Sequence, residues 1–250
     1  METLYLVVPC YNEEEALPES AKQLMQKLES LTANGKISAN SRILLVDDGS
    51  KDRTWELISA LHESNPRFDG IRLSKNRGHQ NAVMAGLVTS LDWADYTITI
   101  DADLQDDINA IDEMVDKRLS GAEIVCGVRN DRGSDSFLKR LTAQGYYALM
   151  RLFGARILYN HADFRLLSRE AVRRLCRFGT EDLFLRGLIT RLDFPLEKVY
   201  YARLPRTAGE SKYTVKKMLQ LAAKGVTCGR MKPADTMQIG QLYVGEVLHA

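Results

Sequence analysis

The first half of the chain alternates short apolar segments with amphipathic ones, and this alternation constrains the fold more than any other feature. The apolar segments have the length of strands and are followed by turn-forming or polar residues. Between them, apolar residues recur at the spacing of one helix face, as at Leu17, Ala21, Leu24 and Leu28. The predicted strands are Thr3 to Pro9, Arg42 to Asp47, Gly70 to Leu73, Tyr96 to Asp101 and Glu123 to Val128. The pattern predicts an α/β fold with a mostly parallel sheet flanked by helices.

The size and composition are those of one folded domain. A chain of 250 residues with 45% hydrophobic content can bury a full core. We predict a single domain over residues 1–230, divided at residue 128 into two halves, with residues 231–250 as a tail.

The four cysteines are far apart and lack metal-ligand spacing, so we expect reduced thiols and a cytosolic location. No apolar run reaches the roughly 18 residues of a transmembrane helix, and no signal peptide is expected.

The net charge of +1 conceals two halves of opposite sign. Residues 1–125 carry 12 Lys and Arg against 22 Asp and Glu, whereas residues 126–250 carry 22 against 11. An acidic half can host a metal ion, and a basic half can meet phosphates or anionic lipid head groups. Nucleic acid is not expected as a partner, because the chain has no recognised nucleic-acid-binding motif.

An acidic cluster follows the fourth predicted strand. Asp101 and Asp103 stand one residue apart at the strand end, followed by Gln105 and Asp107. A Mg²⁺ or Mn²⁺ ion bound together with a diphosphate needs only one or two protein carboxylates, which this spacing can supply. Asp and Asn also collect at strand ends as turn formers and helix caps, so that reading stays open.

Polar residues also follow the first two predicted strands, at Tyr11 to Glu14 and at Asp47 to Asp52. In open α/β sheets, ligands bind beyond the carboxyl ends of the strands. The first βα turn has neither G-x-G-x-x-G nor G-x-x-x-x-G-K-[ST], so a dinucleotide fold or a P-loop is not supported. A nucleotide would be held by side chains and metal instead.

Seven short motifs of the chain resemble the family 2 glycosyltransferases of GT-A fold. The resemblance is to the branch with dolichyl-phosphate mannose synthase and bacterial polyprenyl-phosphate glucosyltransferases, and it covers residues 4 to about 225 in order. The motifs lie at residues 8–14, 46–50, 76–79, 101–105, 127–129, 162–166 and 206–213. The last motif and the Leu-Gln after the acidic triplet are specific to the lipid-phosphate branch.

The resemblance implies a nucleoside diphosphate sugar as donor and a divalent metal, Mg²⁺ or Mn²⁺, as cofactor. The residues implied in nucleotide-sugar binding are Pro9, Tyr11, Glu13, Asp48 and Asp101, and those implied in metal binding are Asp101, Asp103 and Gln105. The Asp48 carboxylate can accept from a ring N–H of the base. Asp47 is more simply a strand-end partner or cap, and Gly49 and Gly78 are turn glycines.

The resemblance also implies a polyprenyl phosphate as acceptor. Its phosphate would be held by Arg129, Arg140, Arg206 and Lys212, with the loop Arg206 to Tyr213 closing over the site. The alternative is that these side chains bind no phosphate and are ordinary solvated charges on the protein surface. Asp163 falls where the family has its proposed catalytic carboxylate, and Asp103 and Arg206 complete the predicted catalytic group. Helix-capping or core roles are predicted for His79 and His161.

Two basic amphipathic stretches, residues 137–153 and 215–226, suit either an anionic membrane surface or ordinary packing on the sheet.

The combined prediction is an inverting, metal-dependent hexosyl transfer to polyprenyl phosphate at the cytosolic face of a membrane, with a homo-oligomer possible. A family 2 transferase with a hydroxyl acceptor stays open and would need Asp163 as a true base. A non-catalytic membrane-surface assembly protein is the distant alternative. After Lys232 the chain departs from relatives that continue into transmembrane helices, so a natural soluble form and a truncation both stay open.

Overall fold

The computed structural model describes residues 1–130, 161–179, 184–203, 231–238 and 244–249. Within them, eight strands form one sheet. The strands are β1 (Leu4–Cys10), β2 (Arg42–Asp47), β3 (Phe68–Leu73), β4 (Tyr96–Thr99), β5 (Ile124–Arg129), β6 (His161–Ser168), β7 (Leu196–Tyr201) and β8 (Val244–Leu248). The helices are α1 (Leu17–Ala33), α2 (Thr54–Ser64), α3 (His79–Thr89), α4 (Ala110–Leu119), α5 (Arg169–Cys176) and α6 (Leu185–Leu188), with short 3₁₀ turns at Ser90–Asp92 and Ile189–Arg191.

The strand order is β7-β5-β6-β4-β1-β2-β3-β8. Strands β1 to β4 are mutually parallel, and β5 is parallel to β7. Strand β6 runs antiparallel to both β4 and β5, and β8 runs antiparallel to β3. The sheet is therefore mixed, with a parallel centre, and the α/β prediction is confirmed.

Helices cover both faces of the sheet, which explains why the central strands are apolar at nearly every position. In β1, Leu4, Leu6 and Val8 pack in a core with α1 and α4, whereas Tyr5 and Val7 belong to a core on the side of α3. Successive side chains of a strand point to opposite faces, so a strand covered on both sides is buried throughout. The apolar stripe predicted for α1 is buried.

The five predicted strands are present. The bounds of β2 are as predicted, and the others differ by at most two residues at either end. Strands β6, β7 and β8 were not predicted. Strand β8 lies in the stretch that the sequence assigned to a tail, and it pairs with β3 at the sheet edge. Just after it, the His249 ring stacks on Trp93 with centroids 3.8 Å apart, and its Nδ1 lies 2.8 Å from Oδ2 of the buried Asp69.

Two further observations concern the cysteines and the helices of the described ranges. Cys10, Cys126 and Cys176 are buried free thiols. None of the helices in these ranges is long and apolar enough to cross a membrane.

Candidate active site

Strand direction brings the predicted site residues to one edge of the sheet. Strands β1, β2, β4 and β5 all end there, and β6 begins there because it runs the opposite way. The edge therefore carries the segments after β1, β2 and β4 together with Arg129 at the end of β5 and Asp163 near the start of β6. This is the edge at which open α/β sheets bind ligands.

The loops after β1 and β2 hold each other in place by hydrogen bonds. The Asn12 amide donates to Ser50 Oγ at 3.0 Å, and Asn12 Oδ1 accepts from the Lys51 amide at 2.9 Å. The Glu13 amide donates to Thr54 Oγ1 at 2.9 Å. These bonds fix the predicted nucleotide-binding segment, in which Pro9 and Glu13 are partly exposed and Tyr11 is exposed.

Asp48 ties this framework to the loop after β3. Its carboxylate accepts the amide N–H groups of Arg77 at 2.7 Å and Gly78 at 2.9 Å. Burial raises the pKa of Asp48, and the two amides oppose that shift. The Asp48 carboxylate thus has a structural role in holding the loop after β3. Its predicted contact with the nucleotide base stays a prediction.

The neighbours of Asp48 behave as expected. Asp47 is fully buried, and its Oδ1 accepts from the Ser50 amide at 3.0 Å, so it is a strand-end partner. Gly49 has a φ of +67°, and a Cβ there would lie 2.6 Å from the backbone nitrogen of Asn76. Only glycine fits such a turn without strain.

The loop after β4 presents the paired carboxylates. It turns at Leu104, whose φ is +44° and whose amide donates to the Asp101 carbonyl at 3.2 Å. Asp101 and Asp103 are both partly exposed. Burial and then the carboxylates of Asp163, Asp106 and Asp103 raise the pKa of Asp101, against the opposing effect of His79. Excess negative charge of this kind favours a bound cation.

The end of the same loop is anchored by two arginines. Asp106 is buried and binds Arg129 at two points, from Nε at 2.9 Å and from Nη2 at 3.1 Å. Gln105 is also buried, and its Oε1 accepts from Arg203. The predicted metal ligand Gln105 and the predicted phosphate ligand Arg129 are thus both engaged within the protein, and their ligand contacts stay predictions. No group of three or more His, Cys, Asp or Glu that could hold a metal lies within the described ranges.

Asp163 is held between two arginines at the start of β6. Arg186 of α6 donates from Nη2 to Oδ2 at 2.7 Å and from Nε to Oδ1 at 3.3 Å, and Arg165 donates to Oδ1. Burial alone would raise the pKa of Asp163, but Arg186 and Arg165, helped by His79, hold it well below the usual range. Asp163 is therefore ionised at neutral pH and is a weak base.

His79 lies between the two carboxylate regions. Its Nε2 is 3.7 Å from Asp101 Oδ1 and 3.9 Å from Asp163 Oδ2. It begins α3 without making a side-chain cap, and its side chain is 41% exposed, so the predicted capping or core role is wrong. The core role predicted for His161 is confirmed, because the residue is only 3% exposed and burial, Arg165 and Arg186 lower its pKa.

Several functional candidates were not found from the sequence. Arg165 falls inside a matched motif, two residues after Asp163, and that position could have marked it. No sequence motif or spacing separately indicated the other four candidates, Gln80, Asp106, Arg186 and Arg203. The predicted residues Arg140, Arg206 and Lys212, and both amphipathic stretches, lie outside the described residues.

A mixed sheet flanked by helices, with carboxylates at its ligand-binding edge, is the architecture of the GT-A glycosyltransferases. The chain belongs to glycosyl transferase family 2, whose family model matches residues 5–176. It is thus a glycosyltransferase.

Two relatives and one solved structure illustrate the similarity. An uncharacterized glycosyltransferase of Bacillus subtilis, YkoT, is 45% identical over 230 residues, which is 92% of this chain and 68% of that protein. The bactoprenol glucosyl transferase of Shigella phage SfX is 37% identical over 243 residues, 97% of this chain and 77% of that protein. Glucosyl-3-phosphoglycerate synthase from Mycobacterium tuberculosis, solved with Mn²⁺, uridine diphosphate and phosphoglyceric acid, has a TM-score of 0.59 at 18% identity, covering 92% of this chain and 80% of that one. The last comparison shows the fold.

Proposed function

We propose that the protein transfers a hexose, with inversion, from a nucleoside diphosphate sugar to a polyprenyl phosphate. The observation that carries the proposal is the Asp163 carboxylate bound by Arg165 and Arg186. A hydroxyl acceptor needs a base to take its proton, and a carboxylate in this setting is a weak one. A phosphate monoester has a second pKa near ~6 and is already ionised at neutral pH, so it needs no such base.

The donor is assigned to the edge formed by the loops after β1, β2 and β4. Pro9, Tyr11, Glu13 and Asp48 would surround the nucleoside, and Asp101 would face the diphosphate. Support comes from the rigid hydrogen-bonded framework of these loops and from the solved glucosyl-3-phosphoglycerate synthase, which holds uridine diphosphate on the same fold.

A divalent metal, Mg²⁺ or Mn²⁺, fits the loop after β4. Asp101 and Asp103 would supply hard oxygen ligands, and Gln105, whose Oε1 also accepts from Arg203, would add an amide oxygen. After burial, the neighbouring carboxylates raise the pKa of Asp101, and a cation would neutralise their negative charge. When bound, the metal would stabilise the charge of the departing diphosphate. The protein's own part is to orient these carboxylates through the turn at Leu104.

The acceptor phosphate is assigned to the basic side of the site. Arg129 lies at the end of β5, where Asp106 orients its guanidinium, and Arg140, Arg206 and Lys212 are assigned with it. The similarity to bactoprenol glucosyl transferases over nearly the whole chain supports a polyprenyl phosphate. The basic second half would bring the site to an anionic membrane surface.

The test is a transfer assay with UDP-glucose and GDP-mannose as separate donors. A short polyprenyl phosphate in detergent is the acceptor, and the matched control is the same polyprenol without phosphate. We expect a hexosyl lipid phosphate of inverted anomeric configuration, dependent on Mg²⁺ or Mn²⁺, and no product from the polyprenol. Preferential transfer to a saccharide hydroxyl would refute the acceptor assignment and support the hydroxyl-acceptor alternative.

A further inference from the structure

The α6 segment reaches into the active site from a part of the chain beyond the matched family region. Arg186 is its second residue and makes a two-point contact with Asp163, with distances of 2.7 and 3.3 Å. The contact joins residues 23 positions apart in the sequence. A planar guanidinium that contacts both oxygens of a carboxylate fixes its direction as well as its charge.

A second contact fastens α6 to the donor side of the site. The Leu185 amide donates to Gln80 Oε1 at 3.2 Å, and Gln80 Nε2 lies 3.5 Å from Asp163 Oδ1. Gln80 follows His79 in the first turn of α3, next to the loop that Asp48 anchors. The position of Arg186 is therefore set by α3, and not by α6 alone.

Arg165 and Arg186 differ in what they can contribute. Arg165 lies on the same strand as Asp163 and is 1% exposed, so it belongs to the interior, where its Nε and Nη1 have no hydrogen-bond partner among the described residues. The Arg186 side chain is 34% exposed at the open side of the cluster. Its removal would free one oxygen of Asp163 while leaving the buried core intact.

We propose that Arg186 is a positioning residue for sugar transfer, which holds the Asp163 carboxylate in one orientation toward the bound substrates. The proposal rests on the proposed function, because it assigns Asp163 to the reacting site. Arg186 acts through Asp163. It follows that the two residues form one functional unit whose substitutions do not add.

The decisive experiment is a double-mutant cycle on the rate of sugar transfer with Arg186→Met, Asp163→Asn and the double variant. Misplacement of a positioned group by about 1 Å can cost roughly 100-fold, so we expect Arg186→Met to lower kcat by about 10- to 100-fold. In the Asp163→Asn background the same change should alter kcat by no more than about twofold. Full additivity, or a loss that lies only in the KM for polyprenyl phosphate, would overturn the proposal, since Arg186 would then act on the acceptor directly.

Two further variants separate positioning from folding. Arg186→Lys keeps the charge but not the two-point contact, so an intermediate kcat is expected. Arg169→Met is the matched control, because the Arg169 side chain is 35% exposed and pairs with Asp95 at 3.1 Å at the opposite end of β4. It should retain wild-type kcat. An equal loss in Arg169→Met would indicate a general effect on the fold and count against the proposal.

A substrate-free measurement distinguishes this proposal from the proposed function. Carboxyl ¹³C NMR titration of labelled Asp, with Asp163→Asn to assign the signal, reports the pKa of Asp163. The charged and titratable groups facing it are Arg186, Arg165, His79 and Asp101. The pKa should rise in Arg186→Met and stay near the wild-type value in Arg186→Lys. An unchanged pKa in Arg186→Met refutes the positioning role even if transfer to polyprenyl phosphate is observed. A raised pKa without any transfer leaves the contact established and refutes the proposed function.

Discussion

Asp101 and Asp163 approach the same nitrogen of His79, at 3.7 and 3.9 Å, yet their surroundings shift their pKa values in opposite directions. Burial and three neighbouring carboxylates raise the pKa of Asp101. At Asp163, Arg186 and Arg165 outweigh burial and lower it. The negative charge of the loop after β4 thus suits a cation that binds from outside the protein. At the start of β6, the positive charges beside Asp163 are the protein's own arginines, Arg186 and Arg165.

The contrast between the surroundings of Asp101 and Asp163 is tested most strongly by removing a negative charge from the loop after β4. We expect Asp103→Asn to reduce transfer by more than about 100-fold, since even the outer partners of a metal ligand are worth about 10- to 100-fold. The substitution keeps the side-chain volume, so circular dichroism should be unchanged. Rates are measured at saturating donor and metal.

The matched control is Asp107→Asn in the same acidic run. Asp107 Oδ1 accepts from the Asn109 amide at 2.9 Å, a bond that an asparagine oxygen can also accept. This variant should keep wild-type activity. Wild-type turnover by Asp103→Asn at saturating donor would contradict the metal assignment.

The second region is tested by Asp163→Asn, for which a smaller loss of about 10- to 100-fold is expected from lost orientation. Because the proposed mechanism requires no proton transfer by the ionised Asp163, the fold-loss should stay constant from pH 6 to 8.5. Initial rates of wild type and variant are compared across this range. If Asp163 were a general base, hydroxide would replace it as the pH rises, and the loss would shrink steeply.

The sequence predicted the features that depend on neighbouring residues. The central strands are apolar because helices cover both faces, and the carboxylates of the loop after β4 lie within three residues of each other. The edge strands β7 and β8 escaped prediction because they are only partly covered, and the interior strand β6 escaped because its buried positions include the polar residues His161 and Arg165. Strand β7 alternates buried Val199 and Tyr201 with exposed residues, and β8 contains Gly245 and Glu246 with no fully buried residue.

The same distinction applies within the site. Asp101, Asp103 and Asp163 were found because short motifs carry them. Arg186 and Gln80 were missed because they meet Asp163 across 23 and 83 residues of sequence, and only the fold brings them together. His79 was assigned to a cap or the core because its partners, Asp101 in the loop after β4 and Asp163 on β6, are distant from it in the sequence.

The local framework of the donor side is tested by Gly49→Ala against Gly35→Ala. Both glycines have a φ of +67°, but a Cβ at Gly35 meets nothing within 4 Å, whereas one at Gly49 would collide with the backbone at Lys75 and Asn76. The backbone strain, of order 1 kcal/mol, is common to both. The collision should cost Gly49→Ala a further ~1–3 kcal/mol in the free energy of unfolding. Chemical denaturation measures the difference, and equal losses would show that the loops after β2 and β3 are not tightly packed.

The smallest effect concerns the pH dependence of stability. The folded-state pKa of Asp163 lies well below its unfolded value near ~3.9, so the native state favours the ionised carboxylate. This stabilisation is fully present above the unfolded pKa and is lost as the pH falls through the folded pKa. The Tm of Asp163→Asn should therefore lie several degrees below that of wild type at pH 6. The difference in Tm between the two proteins should become smaller below about pH 4.

The matched control for this measurement is Asp116→Asn. Asp116 pairs with Lys36 at 2.6 Å, but its side chain is 54% exposed, and exposed pairs contribute little to stability. Its Tm should follow that of wild type at every pH. A gap for Asp163→Asn that is as wide at pH 3 as at pH 6 would mean that the arginines do not hold the carboxylate ionised. The contrast between Asp101 and Asp163 would then disappear, and Asp163 would again be a candidate base for a hydroxyl acceptor.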